Sequence, residues 1–196
     1  MAPREFVSVK RSTLLGLSAL VLLAAMLAGC GEDPFAIEWE ENPIETTLYA
    51  LDRQELNRPS AFDMFQRRRV VLESVQSQGR WDFAVERIDG RLHLLPPRAL
   101  GVTSEAAIAP VPDVAFEDLR EAPSDTAAYV TRDPVPLEYG VTYAVRTHRQ
   151  PGQFGRQCSF YGKLEAVSLN VDEGIFIFRN DTSPECGNRR LVPRGS

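Results

Sequence analysis

Side chains that could carry acid–base chemistry are few and scattered in this sequence. Asp63, Asp82 and Glu86 are close enough along the chain to be imagined as a carboxylate pair, and there are only two histidines. A carboxylate on a half-exposed strand is usually solvated, and 27 acidic residues make such coincidences common. The sequence lacks the nucleophile-elbow, zinc-protease, phosphate-loop and dinucleotide-binding motifs. We therefore expect no catalytic residues and a protein that is not an enzyme.

The charge distribution argues against nucleic acid as a partner. The chain has a formal net charge of −5, and removal of residues 1–29 would leave 19 basic and 26 acidic residues, a net charge of −7. The arginines at 67–69 form a short basic run, for which a solvated turn is the main interpretation and an anion or partner contact the alternative. Because no basic stripe accompanies this run, nucleic-acid binding is not expected.

An apolar run from Leu14 to Gly29 ends at Cys30 and follows several basic residues. Its 16 residues are fewer than the roughly 20 that a membrane-spanning helix needs. A basic start, an apolar middle and a small-residue end are typical of a signal peptide. The tetrapeptide "LAGC" (27–30) resembles the lipobox of bacterial prolipoproteins. The alternative is an N-terminal anchor helix that is not cleaved.

The lipobox resemblance implies a signal peptide over 1–29 and lipidation of Cys30, with a diacylglycerol on the thiol and a further acyl chain on the amine. Several acyl chains hold a protein stably at a membrane, whereas one chain holds it marginally. Gly31 occupies the position at which aspartate would retain a lipoprotein at the inner membrane. The resemblance therefore implies an exported protein anchored at the outer membrane.

Three cysteines are present, and lipidation of Cys30 would leave Cys158 and Cys186 as a pair. An exported compartment permits a disulfide between them. The bond would close a loop of about 29 residues. On the chain-entropy model it would stabilise the folded state by roughly 3–4 kcal/mol. Two free thiols are the alternative. The cysteine and histidine spacing predicts no metal site.

The mature chain divides into an acidic N-terminal segment and one domain. Residues 30–45 contain the lipidation site and an acidic stretch that we interpret as a tether, with docking of Phe35, Ile37 and Trp39 as an edge strand the alternative. Residues 46–190 are expected to form a single β domain. The C-terminal "LVPRGS" (191–196) matches a thrombin-cleavage linker, so it is either a tag remnant or the natural end.

The clearest structural element is a hairpin over residues 80–95, with a two-residue turn at Asp89 and Gly90. The predicted cross-strand pairs are Arg87–Leu92, Glu86–His93 and Val85–Leu94. One face then carries Trp81, Phe83, Val85, Leu92 and Leu94. The other face, expected to be exposed, carries Asp82, Glu86, Arg91 and His93. Alternation and turn chemistry agree on this register.

Further strand signals predict the fold class. "FYGKLEAVSLNV" (160–171) and "IFIF" (175–178) flank a loop ending in Gly174, and "IFIF" predicts a central strand buried on both faces. Residues 114–123 could form one short helix. Short strands with little helix predict an all-β protein, an antiparallel sandwich or a barrel-like domain, after the signal helix.

Two family resemblances refine this expectation. "LEYGVTYAVRT" (137–147) is similar to the tyrosine-corner strand of fibronectin type III domains, with Leu137, Gly140, Tyr143 and Val145 in matching places. The resemblance implies a Greek-key β-sandwich.

The second resemblance is to haem-carrying outer-membrane lipoproteins of the HmuY type. It rests on "WDFAV" (81–85) and on "YAVRTH" and "YGKLEAVSL" farther along the chain. The family holds haem between axial histidines, which would make His93 and His148 the ligand candidates. Both lie on outward faces of predicted strands, so two surface histidines are the alternative.

Together these features predict a lipid-anchored, non-catalytic binding or assembly module of the cell envelope. Its expected partners are the membrane, through the lipid, and an envelope protein complex, with no cofactor beyond the covalent lipid. The alternative function is a carrier of a small ligand such as haem. A deep apolar pocket would favour the carrier, and a flat apolar patch would favour a protein partner.

Overall fold

The computed structural model of the chain describes residues 37–77, 79–152 and 155–195. Backbone contacts divide the chain into two units, Met1–Ile37 and Glu38–Ser196, and the elements discussed here belong to the second. The apolar run 14–29, Cys30, Gly31 and Phe35 lie outside the described residues. The signal peptide and the lipidation of Cys30 therefore stay predictions.

Regular structure in the described residues is almost entirely β-strand, which confirms the predicted all-β class. The first six strands are β1 (Ile44–Tyr49), β2 (Ala61–Asp63), β3 (Arg68–Val70), β4 (Phe83–Ile88), β5 (Arg91–Leu95) and β6 (Ala107–Val111). The other six are β7 (Val135–Pro136), β8 (Thr142–Arg146), β9 (Gln150–Pro151), β10 (Gln157–Cys158), β11 (Tyr161–Asn170) and β12 (Ile175–Thr182). The helical segments in this part of the chain are 3₁₀ turns at Val75–Ser77, Pro97–Leu100 and Thr126–Ala128.

The strands form two five-stranded antiparallel sheets in a sandwich-like arrangement rather than a closed barrel. The first sheet has the order β1-β12-β11-β8-β6, and the second has the order β3-β2-β4-β5-β7. A small ribbon joins β9 to β10. Strands distant in sequence are neighbours in both sheets, as expected for a sandwich with crossing connections.

Apolar side chains from both sheets meet in one core. Phe62 and Phe83 of the second sheet pack against Phe178 of the first, with ring centroids 5.2 and 5.7 Å from that of Phe178. Tyr143 and Leu164 extend the same cluster. Burial of this shared face is the main force that holds the sheets together.

The hairpin of β4 and β5 forms with the predicted register. Its cross-strand pairs include Arg87–Leu92, Glu86–His93 and Val85–Leu94. Asp89 and Gly90 both have positive φ, at 50° and 73°, as a type I′ turn requires.

The expected faces of this hairpin are correct within the strands and wrong just before β4. Phe83, Val85, Leu92 and Leu94 belong to the core between the sheets. Trp81 instead packs in a separate cluster with Ala61 and Ala84, on the outer face of the second sheet. Asp82, predicted to be exposed, is fully buried. The alternation fails because both residues precede the strand, where the period of two does not apply.

The second predicted hairpin, between β11 and β12, is also present, and Gly174 has the expected positive φ of 65°. The "IFIF" strand is central, between β1 and β11. Its burial on both faces is only partly correct, because Phe176 and Phe178 are buried whereas Ile175 and Ile177 are half-buried.

Residues 114–123 form turns, not the short helix that the sequence suggested. One helix-like bond is present, from the Leu119 amide to the Ala115 carbonyl, but other backbone groups of the segment bond elsewhere. The carbonyl of Val114 accepts a hydrogen bond from the Thr142 hydroxyl, and the carbonyl of Arg120 accepts one from the Leu191 amide. This segment lies over the outer face of the first sheet, where Leu119 packs on Ala144.

The folded domain extends beyond residues 46–190 at both ends. β1 begins at Ile44, and Glu41 pairs with the buried Lys163 at 3.0 Å. Ile37 and Trp39 lie outside any strand. At the other end, Leu191 and Val192 are buried, and Leu191 packs in the same outer cluster as Leu119. The first two residues of "LVPRGS" are therefore part of the packing.

Candidate functional site

A buried carboxylate joins the two sheets at one end of the sandwich. The side chain of Asp82 is 0% exposed and accepts three hydrogen bonds. Its Oδ2 accepts from the backbone amide of Met64 at 2.7 Å, just after β2 of the second sheet. Its Oδ1 accepts from the backbone amide of His148 at 2.6 Å, just after β8 of the first sheet. Asp82 therefore clamps the ends of two strands that belong to different sheets.

The third hydrogen bond to Asp82 comes from a side chain. Nδ1 of His148 lies 2.7 Å from the same Oδ1, and the histidine is 8% exposed. Burial lowers the pKa of His148, but the hydrogen bond and charge of Asp82, with a further contribution from Asp63, outweigh it and raise the pKa. Asp82 therefore makes His148 easier to protonate than a free histidine.

A second carboxylate lies beside this pair. Asp63 ends β2 and is 2% exposed, and its Oδ1 accepts a hydrogen bond from the Gln66 amide at 3.1 Å. Burial, and then repulsion from Asp82, raise the pKa of the Asp63 carboxyl. Arg68 approaches its Oδ2 at 3.8 Å. We call Asp63, Asp82 and His148 the Asp–His cluster.

The Asp–His cluster has the composition of a metal site. Each residue offers one ligand atom, and the three atoms lie within 4.8 Å of one another. Both oxygens of Asp82 already accept hydrogen bonds from N–H donors, however. A divalent cation would have to displace the imidazole proton and compete with a guanidinium group. The geometry favours a hydrogen-bonded network over a coordination sphere.

A pocket of about 590 Å³ opens beside the cluster. We call it the arginine pocket, because three arginines are among its lining residues. The lining residues are Asp63, Gln66, Arg68, Gly79, Arg80, His148, Arg149, Gln150 and Pro151. They come from three chain segments, at 63–68, 79–80 and 148–151, which meet only in the folded sandwich. The volume is within the range of small-molecule sites.

The polar groups of the arginine pocket are only partly satisfied within the protein. Arg149 pairs loosely with Glu105 at 3.7 Å. Among the described residues the guanidinium group of Arg80 has no hydrogen-bond or ion-pair partner. Gln150 is 6% exposed, and its buried Nε2 has no hydrogen-bond partner in the described ranges of the chain. Seven buried side-chain atoms of the described residues lack a partner, and Nε2 of Gln150 is the one that belongs to a residue lining this pocket. A bound ligand would satisfy it.

The predicted disulfide supports one wall of this pocket. Cys158 and Cys186 fit a disulfide, with Cα atoms 5.4 Å apart. Cys158 lies in β10 and pairs in register with Gln150 of β9. The bond therefore fastens the ribbon that carries Gln150 and Pro151 to the chain beyond β12.

The structure brings together only some of the residues that the sequence singled out. Asp63 and Asp82 are adjacent, whereas Glu86 lies farther along β4 and its Oε1 accepts a hydrogen bond from the neighbouring Arg87 amide. His148 is buried in the cluster, so its expected outward orientation is wrong. His93 is on β5 of the other sheet, where it pairs with Pro136, and it is not among the residues that line the arginine pocket.

The arginine run at 67–69 divides its roles. Arg68 lines the pocket, whereas Arg67 has a positive φ of 49° and forms an ion pair with the buried Asp181. The sequence offered the run as a possible anion contact, but nothing in the sequence linked it to Arg80 or Gln150. Arg80 is 11 positions beyond Arg69 and Gln150 is 81 positions beyond it, and only the folded domain brings them to one pocket.

No described helix is long and apolar enough to cross a membrane. Comparison with models of known protein families gives no match, and comparison with curated proteins gives no significant match.

Proposed function

We propose that this protein is an exported lipoprotein that binds a small polar ligand without catalysis. Its anchor would be the lipid on Cys30, and its binding site would be the arginine pocket. One observation carries the proposal: three distant segments build a pocket in which Arg80 and the buried Gln150 amide lack partners within the described protein. Ligand sites are concave and contain a few convergent polar groups of this kind.

Binding is a better account of the site than catalysis. Both oxygens of Asp82 and Nδ1 of His148 are committed to one another or to backbone amides. These bonds hold the two sheets in place and leave the carboxylate no further role as a base. The absence of the familiar catalytic motifs from the sequence supports the same conclusion.

A small polar ligand also suits the site better than haem. Among the described residues that line the pocket there is no leucine, isoleucine, valine or phenylalanine to pack against a porphyrin ring. His93 and His148 lie on different sheets, and Nδ1 of His148 is hydrogen-bonded to Asp82. Exposed large hydrophobics such as Leu56, Val75 and Tyr139 are distributed over separate loops and do not favour a protein partner.

The anchor is tested by fractionation of cells that express the full chain. We expect the protein in the membrane fraction and Cys30→Ser in the soluble fraction, because the lipidated thiol is lost. Cys158→Ser is the matched control and should stay with the membrane. Retention of Cys30→Ser in washed membranes would refute the lipoprotein assignment.

The binding site is tested by NMR titration of the protein with a panel of small polar metabolites and with haemin. We expect a polar ligand to shift the side-chain amide resonances of Gln150, and haemin to give no Soret shift that depends on His93 or His148. A panel in which no compound perturbs the residues of the pocket would contradict the proposed function. A histidine-dependent Soret shift would favour the haem carrier instead.

A further inference from the structure

The charges around the arginine pocket are strongly unequal. Three guanidinium groups, those of Arg68, Arg80 and Arg149, are among its lining groups, and Asp63 is the one acid among them. Two of these arginines form long ion pairs. Arg68 lies 3.8 Å from Asp63, and Arg149 lies 3.7 Å from Glu105. These pairs leave much of each guanidinium group available.

Of the three arginines that line the pocket, Arg80 is the one without a side-chain partner among the described residues. Its side chain is exposed, and in the described part of the chain no acidic group or carbonyl oxygen pairs with it. The planar guanidinium fork matches carboxylate and phosphate groups, to which it donates two parallel hydrogen bonds. Arg80 and Arg68 come from different segments and border one pocket, so both can face a single oxyanion.

Two further groups favour an acceptor in the pocket. The Gln150 amide nitrogen is a buried donor that has no partner within residues 37–77, 79–152 and 155–195, and an oxygen of a ligand would satisfy it. His148 also lines the pocket, and its ring nitrogen Nδ1 is hydrogen-bonded to Asp82 at 2.7 Å. Asp82 itself lies behind the histidine and is not one of the lining residues.

A cation is the less favourable occupant. The one carboxylate that lines the pocket, Asp63, is already held by the Gln66 amide and approached by Arg68. A positive ion there would be repelled by the three arginines that line the pocket. A lone oxyanion, on the other hand, would fill little of about 590 Å³. The pocket suits a metabolite-sized molecule with an anionic group at one end.

We infer that the ligand of the arginine pocket carries a carboxylate or phosphate group, which Arg80 and Arg68 clamp while Gln150 donates to the same ligand. This inference rests on the proposed function and specifies its ligand class. The two oxyanions share the same recognition chemistry, so the experiment distinguishes them by separate titrations.

The test is isothermal titration of the full-length protein in detergent with citrate and with inorganic phosphate. Glucose and zinc chloride serve as neutral and cationic probes. We expect saturable binding of at least one anion and a loss of affinity as the salt concentration is raised. Whichever of citrate and phosphate binds more tightly identifies the oxyanion.

Arg80→Gln is the decisive variant, because the side chain is exposed and its replacement should leave the fold intact. We expect it to weaken anion binding at least tenfold. Arg91→Gln, at the exposed tip of the β4–β5 hairpin, removes the same charge outside the pocket and should bind as the unmodified protein does. Gln150→Leu should also weaken anion binding. The backbone amide spectrum of this variant, recorded by NMR, shows whether it is folded.

The outcomes separate this inference from the proposed function. If glucose or zinc binds at the pocket and neither anion does, the anion inference is overturned and the binding function stands. If an anion binds but Arg80→Gln and Arg91→Gln weaken it equally, the attraction is general and the assigned clamp is wrong. If no probe and no compound of the metabolite panel binds, both proposals fail.

Discussion

Replacement of Asp82 by asparagine should destabilise the protein much more than an ordinary polar substitution. The asparagine side chain has the same shape but has one acceptor oxygen and one NH₂ group in place of two acceptors. Asp82 accepts from the Met64 amide on one oxygen and from two groups of His148 on the other. In the asparagine variant the NH₂ group must therefore take the position of one carboxylate oxygen, where it faces another N–H donor.

The least costly orientation sets the magnitude. If the amide oxygen keeps both His148 bonds, the buried Met64 amide loses its acceptor, which costs about 1–3 kcal/mol. The imidazolium also loses its balancing charge, and removal of one member of a buried ion pair costs about 3–5 kcal/mol. Because His148 can release its proton and limit this second cost, we expect a total of about 3–5 kcal/mol.

Urea unfolding followed by tryptophan fluorescence measures this loss, because Trp81 is buried next to the mutated residue. The midpoint should fall at an unchanged dependence on denaturant. Glu86→Gln is the matched control on the same hairpin, since Glu86 is half-buried and bonds only locally. It should change the free energy of unfolding by no more than about 0.5 kcal/mol.

A second measurement separates the clamp from a general packing defect. NMR titration should show a lower pKa for His148 in Asp82→Asn than in the unmodified protein, because the hydrogen bond and charge that raise it are gone. A loss of stability below about 1 kcal/mol, which is the usual size for a point substitution, would refute the argument. An unchanged histidine pKa would refute it equally.

Three further predictions concern other contacts of the fold. The free energy of unfolding should fall as pH rises above about 6.5 and through the folded pKa of His148. That pKa is raised, so the folded state binds the proton more tightly than the unfolded state does. In a pH series of urea midpoints, His148→Gln should show a flatter dependence over this range, and an equal slope in both proteins would contradict the prediction. Reduction of the Cys158–Cys186 bond should lower the free energy of unfolding by about 3–4 kcal/mol. It should also broaden the NMR signals of Gln150, which pairs with Cys158 in the β9–β10 ribbon. Mass mapping that finds two alkylatable thiols in the untreated protein would exclude the bond. Tyr143→Phe should lower the free energy of unfolding by about 1–3 kcal/mol, measured by heat or urea. The lost hydroxyl donates to the Pro136 carbonyl at 2.8 Å and accepts from the Glu138 amide. An unchanged free energy of unfolding would show that these two bonds make no net contribution.

The hydrogen bonds of Tyr143 also show how far local sequence can be read. The stretch 137–147 suggested a tyrosine corner, and the hydroxyl does bond to the backbone a few residues upstream. The hairpin turn at Asp89 and Gly90 was equally predictable, because turn chemistry and alternation act over a few residues. Neither feature required knowledge of where the rest of the chain lies.

The candidate site could not be read in the same way. Asp82 and His148 both seemed to belong on exposed strand faces, and both are buried. Their burial follows from the closing of two sheets over the ends of β2 and β8. The two residues are 66 positions apart along the chain. A period-two pattern describes a strand but says nothing of what covers the residues just beyond its ends.

By itself the sequence determined the all-β class, both hairpins, the partnership of Cys158 with Cys186 and the expectation of a lipid anchor. Each of these depends on neighbouring residues, on cysteine number or on a short motif. Only the tertiary structure decided that Asp82 is a clamp between sheets and that Arg68, Arg80 and Gln150 border one pocket. The physical reason is that burial and charge balance are set by contacts between distant segments, and those contacts exist only once the apolar faces of the two sheets have packed together.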